Sequence, residues 1–493
     1  MQHSHSNLVP TGCEGLDDIL QGGLAAHRLY LIEGNPGSGK TTLALKFLIE
    51  GAARGESGLY VTLSETKEEI YSVAAGHGWS IENIPIFELV ASEESLEPES
   101  QFTMYHPSEV ELSETTKAVL TEVERIRPQI VVFDSLSEMR LLAQNPLRYR
   151  RQILALKQFF TGRHCTVLLL DDRTSEIGDL QLQSIAHGVI SLEQLAPEVG
   201  AERRRLRVVK MRGRSYRGGY HDFVIQRGGL KVFPRLVAAE HRQDQVSSEL
   251  SSGIGELDEL LGGGIESGTS TLLIGPAGSG KSSIMAKYLS TATARGKTAC
   301  LFTFEESVHS LLTRSRNLGM DLKPAIERGA LIVHAIDPAE ISPGQFSYLV
   351  RQAVEQHDVK IVAVDSLNGF LNSMPEERFL TIQLHEILTY LGHCGVSSLL
   401  VLAQHGVLGS GIQSPIDTSY LADAVVLLRF FEVGGEVRRA ISVLKKRTGS
   451  HERTIRELIL ARGEIHLSEP LRGFRGILSG LPTPAASHLG SAE

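Results

Sequence analysis

Two stretches, 241 positions apart, constrain this chain more than any other feature of it: Gly34-Asn35-Pro36-Gly37-Ser38-Gly39-Lys40-Thr41-Thr42 and Gly275-Pro276-Ala277-Gly278-Ser279-Gly280-Lys281-Ser282-Ser283. Both have the spacing G-x-x-x-x-G-K-[ST]. A short apolar run precedes each, and after the first a helical pattern places Leu43, Ala44, Phe47 and Leu48 on one face. Strand, glycine loop and helix in that order form a phosphate cradle. Glycines let the backbone N–H groups turn inward, and the helix N-terminus adds donors and the positive end of a dipole. Lys40 and Lys281 are placed to reach the β- and γ-phosphates of ATP, and the hydroxyls of Thr41 and Ser282 to hold Mg2+. One such loop could be an unliganded turn; its recurrence points to nucleotide.

The spacing extends beyond the loops. Asp17 and Asp258, Lys40 and Lys281, and Glu65 and Glu306 all stand 241 positions apart, with no insertion between. This marks a duplicated domain of about 230 to 240 residues, too long for a solenoid repeat. We expect a first domain over 1–240, a second over 249–470 and a tail over 471–493, mobile from about 478 onward. The polar run Glu240-His241-Arg242-Gln243-Asp244-Gln245 lies in the linker. Within each repeat apolar runs alternate with helical patterns, so the fold class is α/β, a mainly parallel sheet flanked by helices. The strands expected are Leu29–Ile32, Gly58–Leu63, Ile130–Phe133 and Val167–Leu170, then Ser270–Ile274, Thr298–Phe304, Ile361–Val364 and Ser398–Leu402. Two β-rich closing segments, Arg203–Met211 and Ala424–Leu444, complete them.

A net charge of −9 over 493 residues argues against a generally basic nucleic-acid binder. Gln404–Thr418 has no long basic or aromatic run, which counts against a DNA motor. The four cysteines form no C-x-x-C pair, and no apolar run approaches the ~20 residues of a membrane span. A reducing cytoplasm fits both.

The remaining chemistry sits at strand ends. Asp134-Ser135 and Asp365-Ser366 each close an apolar run, where a carboxylate can bind Mg2+ or cap the next helix. Ser64-Glu65 and Glu305-Glu306 close two further runs, which we place beside the phosphate-loop strand. A glutamate there could deprotonate the attacking group, with Glu305 also a candidate Mg2+ ligand, or could serve only helix capping. Lys210-Met211-Arg212 and Lys445-Lys446-Arg447 read, from spacing alone, as solvated strand ends.

Taken together these residues resemble the KaiC family, two-domain clock ATPases of the RecA-like superfamily. The likeness covers nearly the whole chain, from Thr11–Leu24 through both loops to Arg438-Arg439-Ala440, His451 and Ile455-Arg456-Glu457. It implies two tandem RecA-like P-loop domains and a homohexamer of two stacked rings with ATP between subunits. Lys210 and Arg212, and in the second ring Lys445 and Arg447, would then reach a neighbour's γ-phosphate, with Arg439 nearby. The first ring would be chiefly an ATPase, and the second would also phosphorylate its own side chains. A KaiB-like or other signalling protein is the implied partner. Departures are also legible. Ser64 stands where the family has a glutamate, and the phosphoacceptor pair falls on Ser419-Tyr420, leaving Ser419 and Thr418 as candidate acceptors. A nucleotide-state switch without kinase activity is therefore the competing reading.

Overall fold

The computed structural model describes residues 8–89, 107–143, 145–172, 180–197, 200–242, 248–372, 380–404, 421–479 and 483–484. The chain divides into two compact units, Met1–Arg235 and Leu236–Glu493, each built around a nine-stranded sheet.

In the first unit, six strands run parallel in the order Ile86–Glu88, Gly58–Thr62, Ile130–Asp134, Thr166–Asp172, Leu29–Gly34, Gly188–Leu195. Three antiparallel strands, Arg203–Met211, His221–Gln226 and Gly229–Phe233, extend the sheet. The second unit repeats this order. Leu331–Ala335, Thr298–Thr303, Val359–Asp365, Ser397–Ala403, Ser270–Gly275 and Ala424–Val433 are parallel. Glu436–Lys446, Arg456–Ala461 and Glu464–Pro470 are antiparallel. The single β-rich segment expected over Ala424–Leu444 is thus a hairpin. Its turn is Gly434-Gly435, whose φ values of 62° and 78° suit a two-residue turn with both central residues left-handed.

Strand periodicity explains the layering. Leu59, Val61, Val131 and Phe133 point to one face, against Leu112, Ile153 and Phe160; Tyr60 and Val132 point to the other, against Leu45, Phe47 and Ile70. Both faces being covered, the central strand Leu29–Gly34 is buried at every position and reads as one apolar run. The second unit has the same two core layers, one of which includes Leu236 and Ala238. At the chain's end, Phe474–Arg475 pairs with Thr483–Pro484, and Ile477 is buried against Phe431 and Ala440. Among the described residues no helix is long and apolar enough to cross a membrane.

One expectation is corrected. The strands ending in Ser64-Glu65 and Glu305-Glu306 are not beside the phosphate-loop strand, because two strands intervene in each sheet. The neighbour on that side ends in Asp171-Asp172 in the first unit and Leu402-Ala403 in the second. Crossover helices permit either placement, so chain order alone could not decide it.

Candidate functional site: two phosphate loops with different acids

Each loop leaves the carboxyl end of a central strand and enters a helix, Lys40–Ala53 or Lys281–Ala294. The residue before each helix, Gly39 or Gly280, has φ of 96° or 105°, a conformation that a side chain would strain. Both lysines are nearly buried, at 7% and 6% exposure. Lys40 Nζ donates to the Gly34 and Asn35 carbonyls at 3.0 Å each, and Lys281 Nζ to those of Gly275 and Pro276 at 2.8 and 2.7 Å. Burial lowers the Lys281 ammonium from its ordinary value to about 8, against the pull of Asp365 and Glu305.

The Asp-Ser strand ends meet the helices. Thr41 Oγ1 donates to Asp134 at 3.3 Å, and Ser282 hydrogen-bonds Asp365. Burial pushes both carboxyls above the usual carboxylate range. A hydroxyl and a nearly buried carboxylate at a helix N-terminus suit a hard cation such as Mg2+. Among the described residues no group of three or more His, Cys, Asp or Glu side chains could hold a metal alone. Tyr60, which sequence reasoning missed, donates to Asp134 at 2.6 Å.

Capping falls to the residues after the glutamates. Thr66 forms a capping box with Glu69, and Ser307 accepts from the Ser310 N–H. The acids are thereby released for other contacts, and here the two sites part. Glu305 accepts from Ser366 Oγ at 2.7 Å. Glu306 is gripped by a guanidinium fork, Arg314 Nε and Nη2 at 3.1 and 2.7 Å, and Arg314 also reaches Ser283 at 3.5 Å. Glu305, Glu306, Arg314 and Ser283 line a cleft of about 450 Å³ with Gly278, Lys281 and Asp365. In the first site the counterpart of Arg314 is Val73 and that of Glu305 is Ser64. Glu65 has one carboxylate oxygen buried without a hydrogen-bond partner among the described residues. Burial, reinforced by Asp134, Glu69 and Asp172, raises its carboxyl. Thr42, the counterpart of Ser283, instead faces His77 Nε2 at 3.4 Å, and the His77 ring lies 4.7 Å from that of Trp79.

The basic pairs lie away from their own loops. Lys210 holds the Gln183 carbonyl and Arg212 that of Ser184, at 2.6 Å; Lys445 holds Ala422 at 2.8 Å and Arg447 pairs with Asp423 at 3.3 Å. Lys210 and Lys445 register with Val189 and Val425, three residues back from the positions level with the terminal loop glycines, or roughly 10 Å along the strand. Arg439 does meet its own loop, through the Gly278 carbonyl at 3.3 Å. Ser419 and Thr418 lie outside the described residues.

Asp172 and Arg314 are the other site residues that sequence reasoning missed. Glu306 lies just before the helix Val308–Asn317 and Arg314 in its last turn, so their pairing could not be read from the spacing. Asp172 pairs with Lys40 at 2.6 Å across 132 residues of sequence, but the acids closing the run Val167–Leu170 repeat the pattern of Asp134.

Comparison with known proteins matches this arrangement. The family model for the KaiC ATPase fits residues 9–237 and again 250–471. The circadian clock oscillator protein KaiC of Thermostichus vulcanus is 27% identical over 481 residues, 96% of this chain and 92% of the relative. The circadian clock protein KaiC3 of a Synechocystis species is 27% identical over 483 residues, 96% of this chain and 94% of the relative. KaiC of Synechococcus elongatus is 26% identical over 488 residues, 98% and 93%. With both repeats matched, and a nucleotide loop in each, the chain belongs to the KaiC family of ATPases.

Proposed function

We propose that each loop binds Mg-ATP, that the chain assembles as a homohexamer, and that ATP is hydrolysed between subunits, with autophosphorylation of Ser419 or Thr418 added in the second domain. The observation that carries this reading is the second site's acid pair. Glu305 has one oxygen committed to Ser366 and the other open among the described residues, so it can accept a proton from water or a serine hydroxyl. Glu306 is fixed by Arg314. Thr41 with Asp134, and Ser282 with Asp365, would hold Mg2+, whose charge shields the phosphates and polarises the bond to be broken. Lys210 and Arg212, and Lys445 and Arg447, would supply positive charge to a neighbour's γ-phosphate, since they sit at the far end of their own sheets. Native mass with and without ATP, with phosphosite mapping on the same sample, tests the whole. A monomer under ATP removes interface hydrolysis, and a hexamer with no phosphate on Ser419 or Thr418 removes the kinase step.

A second reading, a nucleotide-dependent signalling switch without kinase activity, is favoured by Ser64 and by Tyr420 beside Ser419. It requires partner binding, to a KaiB-like or other protein, that depends on Lys40 and Lys281. Clock-type signalling would follow from either.

A further inference from the structure

The two lysines differ in what satisfies them. An ammonium has three N–H donors. At Lys281 two go to loop carbonyls, and among the described residues no carboxylate lies within ion-pair distance. At Lys40 two go to the matching carbonyls and the third to Asp172, at 2.6 Å. The first lysine is fully occupied before any phosphate arrives.

The fold fixes this difference. Asp172 ends the strand next to the loop strand and is paired in register with Gly34; in the second sheet Ala403 is paired with Gly275. The register position that carries a carboxylate in the first sheet carries a methyl in the second. Asp172 is also set in place. Its N–H donates to Ser137 Oγ at 3.1 Å, while the adjoining Asp171 is neutralised by Arg140 at 2.6 Å. Arg140 thus serves Asp171 and leaves Asp172 to Lys40. Asp134 and Glu65 are the other acids whose charge bears on this group.

We propose that Asp172 is an internal competitor of the nucleotide's terminal phosphate at the first loop. Its contact with Lys40 must be exchanged for a phosphate contact, and its charge repels the same oxygens. The first loop therefore binds ATP more weakly than the second, and the ordering of occupancy along the chain is built into one residue pair. This rests on the reading that both loops bind ATP.

The test isolates each loop in the full chain, with Lys281→Ala leaving the first and Lys40→Ala the second. Equilibrium dialysis with a non-hydrolysable ATP analogue and Mg2+ is run on each, with and without Asp172→Asn. The expected result is first-loop affinity tightened by about tenfold, the scale of one hydrogen bond to a charged group, with the second loop unchanged and a smaller gain for ADP. The reciprocal change, Ala403→Asp, should weaken the second loop by a similar factor, and it keeps the proposal testable if Asp172→Asn does not fold. Unchanged or weaker first-loop binding in Asp172→Asn, or an unaffected second loop in Ala403→Asp, overturns the proposal. Absence of analogue binding at the first loop with either residue at position 172 instead removes the reading on which it rests.

Discussion

The depressed ammonium of Lys281 makes second-loop affinity depend on pH in a calculable way. Burial lowers its value to about 8. The free protein therefore carries a charged lysine below that pH and a neutral one above it. A triphosphate binds the charged form and, by its own negative charge, keeps the proton on. Above pH 8 binding must then take up a proton, and apparent affinity falls with rising pH. From pH 7 to pH 9 the neutral fraction of a group at about 8 goes from about a tenth to about nine-tenths, so Kd rises about tenfold, or ~1.4 kcal/mol. The Lys40→Ala chain isolates the second loop. Titration calorimetry with a non-hydrolysable ATP analogue and Mg2+, in two buffers of different ionisation enthalpy, gives both Kd and proton uptake. Uptake approaching one proton at pH 9 and near zero at pH 7 is expected. A flat Kd with no uptake at pH 9 would refute the claim that an under-compensated lysine waits for the phosphate.

Two further outcomes follow from contacts described above. Arg314→Val gives the second site the first site's residue and frees Glu306 from its guanidinium fork; steady-state ATPase in the Lys40→Ala background should fall about tenfold, and an unchanged rate would mean that Glu306 needs no fixing. Thr66→Ala removes the hydroxyl half of a capping box and should lower first-domain stability by about 1 kcal/mol in urea unfolding, a midpoint equal to the parent's contradicting it.

Much of this molecule was legible before any coordinates, because duplication doubles every weak signal. The helices Lys40–Ala53 and Lys281–Ala294 repeat the same 241-residue offset residue for residue, as do Lys67–Gly76 and Val308–Asn317. Most buried central strands announced themselves as apolar runs, although Gly188–Leu195, which flanks the first loop strand, was not expected. The edge strands Ile86–Glu88 and Leu331–Ala335 did not, since half-exposed positions dilute the pattern. Strand order was hidden for a topological reason, and with it the fact that Asp172, not Glu65, is the acid next to the loop strand. The Glu306–Arg314 fork and the Lys40–Asp172 pair were hidden because side-chain pairing depends on register and on helix facing, which no single segment encodes. The capping alternative for Ser64-Glu65 and Glu305-Glu306 rests on the hydroxyl residues that follow, and Thr66 and Ser307 are indeed the N-caps of the next helices.

A duplicated chain normally blurs spectroscopy, because equivalent chromophores in the two halves report together. This one contains a single tryptophan. Trp79 lies against His77, whose ring in turn faces Thr42 in the helix leaving the first loop. Its indole emission therefore belongs to one half of the molecule. A change in its emission on adding nucleotide would report on the first half of the chain, without a label and in the intact protein.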